Sequence, residues 1–468
     1  MVPSLNAIVK TYDIRGLVGV ELTEEMVEAV AAGFVDELEL SGLDVVVGHD
    51  MRDSSPAFAA AFARGARARG GNVISLGLCS TDQSYFASGT LKAASAMFTA
   101  SHNPAAYNGI KLSRAGARGI SLDTGLAAIR DRANAYLASG IPSVDSEGSL
   151  REIDTLADYS AYLRSLVNLA AIRPLKVVVD AGNGMGGFTV PAVLGTKVGL
   201  PELPLEIIPM YFELDGNFPN HEANPLDPKN LVDLQKAVVE HGADIGLAFD
   251  GDADRCFVID EKGDAVTPSA VAAIVAELEV AREKVANPGA PITVLHNLLT
   301  SRACIEAIEA SGARAVRTRV GHSLIKDQMA AEDAIFGGEH SAHYYFKAFW
   351  GADNGMLAAL HVLSALGSQQ KPLSEFAAKY DPYFASGEIN HRVSDAKAII
   401  TSVEQAFANR ADMDRLDGVT FNSKDTDDWW WFNLRTSNTE PLLRFNCEAK
   451  NPETVISITR EVETFIKS

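Results

Sequence analysis

Four short apolar runs, each emptying into a polar loop, constrain the fold of this chain most: Val45-Val-Val-Gly-His-Asp50, Val177-Val-Val-Asp180-Ala-Gly-Asn183, Ile245-Gly-Leu-Ala-Phe249-Asp250 and Ile292-Thr-Val-Leu-His296-Asn297. A strand that is apolar throughout, with no in–out alternation, is buried on both faces. Helical stretches such as Ser55 to Arg69, Leu231 to His241 and Ser269 to Val285 alternate with these runs. That alternation predicts α/β units with parallel sheets covered on both sides. The recurrence suggests several similar units, although no sequence repeat is visible. At 468 residues the chain exceeds what one core can serve, about 250 to 300 residues, so three or four domains are expected. Turn-rich stretches at 139–148, 260–264 and 367–372 divide it into segments 1–145, 146–262, 263–370 and 371–468.

Composition narrows the partners. The excess of 61 acidic over 41 basic residues gives a formal charge of −20. That argues against a nucleic-acid or anionic-membrane surface, both of which need a basic footprint. It leaves phosphorylated small molecules open, because screening lets a pocket's own few residues set its sign. Cys79, Cys256, Cys304 and Cys447 are widely spaced and read as reduced thiols of a cytoplasmic protein. No basic-then-apolar leader and no run of about 18 apolar residues occurs, so neither a signal peptide nor a membrane span is expected.

The chemistry gathers around Met97-Phe-Thr-Ala-Ser101-His102-Asn103-Pro104. The small and apolar run Ala93 to Phe98 suits a buried strand, and Asn103-Pro104 breaks it, leaving Ser101 and His102 on a tight loop. No Gly-x-Ser-x-Gly elbow is present, so a hydrolase serine is not indicated. Upstream, Lys10-Thr-Tyr12-Asp13-Ile-Arg15-Gly16 offers an arginine in a glycine-ended loop, able to clamp a phosphate bidentately. Downstream, Tyr107-Asn108-Gly109-Ile-Lys111 carries an Asn-Gly turn signal that would fold Lys111 back beside Ser101.

Asp250-Gly251-Asp252-Ala253-Asp254-Arg255 sets three carboxylates at alternate positions, able to turn their oxygens to one point as a hard divalent cation requires. A calcium loop competes, since Glu261 falls at its twelfth position. Yet Arg255 stands where that loop needs glycine, and the flanks read as strands. Arg317-Thr-Arg319-Val-Gly321-His322 forms a basic strand and turn ending on a histidine, and Gly337-Gly338-Glu339-His340-Ser341-Ala342-His343 suits a loop contacting a polyhydroxylated ligand. Zinc at His340 and His343 lacks an evident third ligand. Near the end, the tryptophans of Asp427-Asp-Trp429-Trp430-Trp431 suit a core strand. They feed Arg435-Thr436-Ser437-Asn438-Thr439-Glu440-Pro441, whose arginine, hydroxyls and backbone N–H groups suit a phosphate nest.

Together the phrases KTYDIRG, TASHNP with YNGIKL, DGDADR, GEHSAH and RTSNTEP, in that order from Lys10 to Pro441, resemble the α-D-phosphohexomutase family, most closely its phosphomannomutase/phosphoglucomutase branch. The resemblance implies three consecutive α/β domains with mixed sheets plus a smaller C-terminal α+β domain, meeting around a central cleft. It implies that Ser101 carries a phosphoryl group and that Asp250, Asp252 and Asp254 bind Mg2+ together with a phosphoserine oxygen. It further implies proton transfer and phosphate stabilisation by Lys111 and Arg15, and places His322 and His343 near the reacting hydroxyls. Tyr12, Glu339 and Ser341 are then sugar-side contacts, and Arg435, Ser437, Asn438 and Thr439 hold the phosphate not being transferred.

The electrostatics of such a site are demanding. A phosphoserine of about −2 beside three aspartates gives about −5 against +2 from a metal, so local cations are required. Arg255, Lys111 and Arg15 are the candidates, and His102, directly after the serine, adds no negative charge. The implied reaction interconverts hexose 6-phosphate and hexose 1-phosphate through a hexose 1,6-bisphosphate, which also serves as activator. The intermediate must turn end for end, which predicts hinge motion near Gly367 to Pro372. KTYDIRG and DGDADR look like the mannose/glucose branch; phosphoglucosamine mutases usually carry glycine at the position of Ala253. A magnesium-dependent phosphatase and a non-catalytic sugar-phosphate binder are the readings from other classes.

Overall fold

The computed structural model describes residues 4–436 and 442–467. Its strands form four separate sheets. The first holds β1 (Ile14–Leu17), β2 (Asp44–His49), β3 (Asn72–Leu78), β4 (Ala94–Phe98), β5 (Tyr107–Arg114), β6 (Arg118–Gly119) and β7 (Leu150–Glu152), in the order β1-β5-β4-β2-β3-β7 with β6 on β5. The second holds β8 (Leu175–Asp180), β9 (Leu205–Met210), β10 (Ile245–Phe249), β11 (Cys256–Asp260) and β12 (Ala265–Val266), ordered β12-β11-β10-β8-β9. The third holds β13 (Thr293–Asn297), β14 (Arg314–Thr318), β15 (Phe336–Gly338), β16 (Tyr344–Phe346) and β17 (Ala352–Asp353), ordered β14-β13-β15-β16-β17. The last holds β18 (Phe384–Ala385), β19 (Ile389–Arg392), β20 (Ala411–Asp414), β21 (Val419–Ser423), β22 (Trp430–Thr436) and β23 (Leu442–Ala449), and all its pairings are antiparallel.

The apolar runs behave as their composition requires. β4 and β10 are buried at every position and pair in parallel with β2 and β8 respectively. Helices fall at Ser55–Ala68, Val232–His241 and Pro268–Ala286, close to the stretches read from the sequence. The sheets themselves are mixed, not parallel throughout. In each of the first three, a parallel strand is followed directly by an antiparallel neighbour: β4 by β5, β10 by β11, β15 by β16. A return strand of this kind lies at full burial beside its partner, so its composition does not reveal its direction.

The repeat invisible in the sequence is therefore one of topology. The connection between the two antiparallel partners carries residues 99–106, 250–255 and 339–343 in turn. Three hairpin tips thus supply three of the polar phrases. The second and third sheets share one large core that runs from Val177 through Ile245 and Ala270 to Leu366, whereas the first and last sheets have cores of their own. Trp430 fills the last core, as expected of a core strand. All four cysteines are buried and unpaired. Among the described residues no helix is long and apolar enough to cross a membrane.

Candidate active site

Ser101 sits on the tip between β4 and β5 with φ at +50°, a left-handed conformation uncommon outside glycine. Its N–H donates to Thr99 Oγ1 at 2.9 Å, and its Oγ donates to Asp250 Oδ2 at 3.0 Å, across 149 residues of sequence. His102 Nδ1 lies 3.2 Å from the same Oγ. Burial, then the charges of Arg255 and Arg15, push the His102 imidazole well below its ordinary pKa, so it stands neutral beside the serine.

Asp250, Asp252 and Asp254 are fully buried, and ligand atoms of the three lie within 4.8 Å of one another. The hairpin makes this possible: Gly251 packs so closely on the Ser101 carbonyl that a Cβ there would lie 2.4 Å from its oxygen. Lys111 Nζ donates to Asp252 Oδ2 at 2.7 Å and Asp254 Oδ2 at 2.6 Å; Arg255 Nε donates to Asp250 Oδ2 at 2.9 Å. Thr81, at the start of the helix Thr81–Leu91, donates its hydroxyl to Asp252 Oδ2 at 2.6 Å. Burial works to raise Asp252, but the Lys111 ammonium overcomes it and holds the carboxyl well below the usual range. For Asp250 burial prevails over Arg255 and the carboxyl is raised. Lys111 is likewise held above its usual value, the two aspartates outweighing burial.

Asp252 Oδ1 and Asp254 Oδ1 are buried with no hydrogen-bond partner. Leaving such oxygens unpaired is costly, and an all-oxygen set of three carboxylates and a serine oxygen is the chemistry a hard divalent cation takes. The residues present therefore fit a Mg2+ ion.

Lys111 reaches this cluster by a route the sequence did not suggest. Asn108-Gly109 is no turn but the body of β5, and Lys111 pairs with Met97 of β4 in the antiparallel register. The chain reverses at 99–106 instead. Arg15 also lies in a strand, β1, and not in a loop; its Nε donates to Asp13 Oδ2 at 2.6 Å, and its Nη1 donates to Ala100 O at 3.1 Å and to Asn103 Oδ1. The guanidinium is thus turned to the serine loop.

On the third sheet's hairpin tip, Glu339 is buried and accepts from Tyr345 Oη at 2.8 Å and Asn297 Nδ2 at 3.3 Å. Ser341 is half-buried at the same tip. His343 Nδ1 lies 3.2 Å from Asp353 Oδ2 and 3.9 Å from Asp254 Oδ1, so this hairpin touches the carboxylate cluster directly. His340 turns away, its Nδ1 lying 2.9 Å from Ser269 Oγ, which removes it from a shared zinc site with His343. Tyr12 lies against Gly321, where a Cβ would meet its ring at 3.8 Å, just before the helix His322–Ala331. The His322 side chain and residues Ser437, Asn438 and Thr439 lie outside the described residues. Arg435, near the end of β22, donates to Glu388 Oε2 at 3.1 Å. Asp353, Lys326 and Thr81 were not singled out from the sequence. Lys326 Nζ lies 2.8 Å from Asp353 Oδ1 and 3.8 Å from the Tyr85 ring centroid. Nothing local marks these residues, since their partners lie on other elements.

Models of the phosphoglucomutase/phosphomannomutase family match the chain in succession: α/β/α domain I over residues 6–138, domain II over 157–263, domain III over 267–383 and the C-terminal domain over 388–464. The chain belongs to this family. It is 39% identical over 462 residues to a protein of Xanthomonas campestris described as phosphohexose mutases, with 98% of each chain covered. It is 39% identical over 446 residues to the phosphomannomutase of Escherichia coli K12, with 94% of each covered. Among solved structures it resembles a phosphoglucomutase/phosphomannomutase family protein of Burkholderia thailandensis at 27% identity, with a TM-score of 0.86 and 98% and 97% of the two chains covered.

Proposed function

We propose that the protein is a phosphohexomutase that interconverts hexose 6-phosphate and hexose 1-phosphate of mannose, glucose or both. The observation that carries this reading is the Ser101 hydroxyl at 3.0 Å from a buried aspartate of a three-carboxylate cluster, with Lys111 and Arg255 bonded to that cluster. Ser101 is the phosphoryl carrier. Asp250, Asp252 and Asp254, with the serine's oxygen, hold Mg2+, which when bound neutralises charge that develops on the transferring group.

In the forward step the phosphoryl group on Ser101 passes to a free hydroxyl of the hexose monophosphate, giving the 1,6-bisphosphate and a free serine. The P–O bond to Ser101 breaks as the bond to the sugar oxygen forms, and the hydroxyl's proton leaves to a base of the site. His343, its Nδ1 beside Asp353, would take that proton on its other ring nitrogen, and Lys111, kept as an ammonium by Asp252 and Asp254, adds positive charge beside the transferring group. Arg15 and Arg255 neutralise the spreading negative charge. After the bisphosphate turns end for end, the other phosphate returns to Ser101 by the reverse sequence. Glu339 and Ser341 read the sugar, and the Arg435 loop with Ser437, Asn438 and Thr439 holds the idle phosphate.

Turning the intermediate needs the last domain to loosen. The hinge for that motion is the stretch 367–372, which would open by releasing the bond from Arg173 N to the Gly367 carbonyl at 2.9 Å.

The test is a Mg2+-containing assay with trace glucose 1,6-bisphosphate, comparing mannose 1-phosphate, glucose 1-phosphate and glucosamine 1-phosphate, with Ser101→Ala as control. Isomerised mannose or glucose phosphate, lost in the control, supports the reading. Preference for glucosamine 1-phosphate would move the enzyme to the other branch. Inorganic phosphate released without isomerisation, or an active control, would refute the reading.

A further inference from the structure

The serine loop is held by a residue that touches none of the reacting atoms. Arg52 follows β2 in the run Gly48-His49-Asp50-Met51-Arg52 and is only 2% exposed. All four of its terminal N–H groups are spent on backbone carbonyls of the Ser101 loop. Nη2 donates to Ser101 O at 2.9 Å and Asn103 O at 2.7 Å; Nη1 donates to Pro104 O and Tyr107 O at 3.0 Å each. Asp50 stands behind the guanidinium, its Oδ2 3.3 Å from Nε, and is itself held by Ser55 Oγ at 2.6 Å.

The second domain closes over this clamp. The guanidinium carbon lies 5.1 Å from the Phe218 ring centroid, and Gly216 packs so tightly that a Cβ there would lie 2.8 Å from Arg52 Cα. The Ser101 carbonyl is thus gripped between Arg52 Nη2 and Gly251 of the carboxylate hairpin. A residue with φ at +50° persists in that conformation only where its surroundings over-determine it. Here the planar fork of one arginine does so, bonding four carbonyls at once in a way an ammonium on a flexible stem does not reproduce.

We propose that Arg52 is a positioning residue for phosphoryl transfer: it sets the direction of the Ser101 Oγ toward the carboxylate cluster, and the Gly216–Phe218 loop locks it once the first and second domains are together. This rests on the reading of Ser101 as the phosphoryl carrier. Misplacing a reacting atom by about 1 Å can cost about 100-fold in rate, whereas Glu339 and Ser341 at the third sheet's hairpin tip and Arg435 on β22 have no contact with the Arg52 clamp. The signature is a loss in kcat with KM preserved.

The experiment measures kcat, KM and the single-turnover transfer rate from phospho-Ser101 to hexose 6-phosphate for the full-length wild type, Arg52→Lys, Phe218→Leu and Ser101→Ala, with thermal unfolding on each. Arg52→Lys is expected to stay folded and lose about 100-fold in kcat and in the transfer rate, with KM within about threefold. Phe218→Leu, which keeps every hydrogen bond of the clamp, is expected to lose about three- to fivefold in the same two quantities. Phe218→Leu decides the matter if Arg52→Lys unfolds. A folded Arg52→Lys with kcat within twofold of wild type, a loss falling on KM, or an unfolded Arg52→Lys beside an unchanged Phe218→Leu overturns the proposal. An active Ser101→Ala overturns instead the phosphoserine reading beneath it.

Discussion

Replacing Lys111 by methionine removes the one ammonium bonded to both Asp252 and Asp254, at 2.7 and 2.6 Å, and keeps much of its apolar stem. With an effective dielectric near 20, each such contact is a gross attraction of about 6 kcal/mol. The lysine's own burial offsets much of that. What remains in the variant is two buried carboxylates without their cation, a loss of the kind that costs about 3–5 kcal/mol. Urea unfolding in EDTA is expected to show a destabilisation of that size. Added Mg2+ should then stabilise the variant more than the wild type, because the ammonium no longer shares the charge of the same two carboxylates with the ion. A tenfold tighter site would add about 1.4 kcal/mol at a given concentration above Kd. Turnover should nonetheless collapse, since under the proposed function Lys111 also stabilises the transferring group. The reasoning is refuted if Lys111→Met unfolds within about 1 kcal/mol of wild type in EDTA, or if Mg2+ stabilises the wild type more.

Two further outcomes follow from single features of the site and its surroundings. Gly251→Ala would set a Cβ 2.4 Å from the Ser101 carbonyl oxygen, a backbone atom that no rotamer change can move aside, so turnover should fall at least about tenfold with Mg2+ binding weakened; unchanged kinetics would mean the two hairpins can separate freely. His296 is 4% exposed, and burial brings its pKa down to about 4. The unfolded chain, with a histidine near 6.5, then binds more protons between about pH 4 and 6.5, so stability is full above that window and falls as pH drops through it, by at most about 3 kcal/mol. His296→Gln should flatten this fall in thermal scans between pH 7.5 and 4.5, and an unaltered slope would assign the acid sensitivity elsewhere.

How far the site was readable depends on where each residue's partners lie. The serine loop and the three aspartates were legible because each is a local pattern: an apolar strand stopped by Asn103-Pro104, and carboxylates at alternate positions between two apolar runs. Arg15 and Lys111 were legible as cations but misplaced locally. Asn108-Gly109 carries the strongest short-range turn signal in the stretch, yet pairing with Gly16 and Arg15 of β1, and the bond from Thr99 N to the Gly109 carbonyl, keep it extended. Arg52, Thr81 and Asp353 were not legible at all. Arg52 meets the serine loop 49 or more residues away and Thr81 meets Asp252 across 171, and no periodicity encodes such distances. The mixed sheets came from the family resemblance and not from composition, which pointed to parallel sheets. β11 is as buried as β10, and β5 is buried at all but its two ends; burial, not direction, is what composition records.

The central claim is that one serine accepts and returns the phosphoryl group, at a cluster where Asp250 already holds its hydroxyl at 3.0 Å. Incubation of the protein with glucose 1,6-bisphosphate and Mg2+, followed by phosphopeptide mapping by mass spectrometry, addresses it directly. The account predicts a single phosphate on Ser101, chased off by excess hexose 6-phosphate and absent from Ser101→Ala. A phosphate on another residue, or one on Ser101 that the hexose phosphate fails to remove, would contradict it.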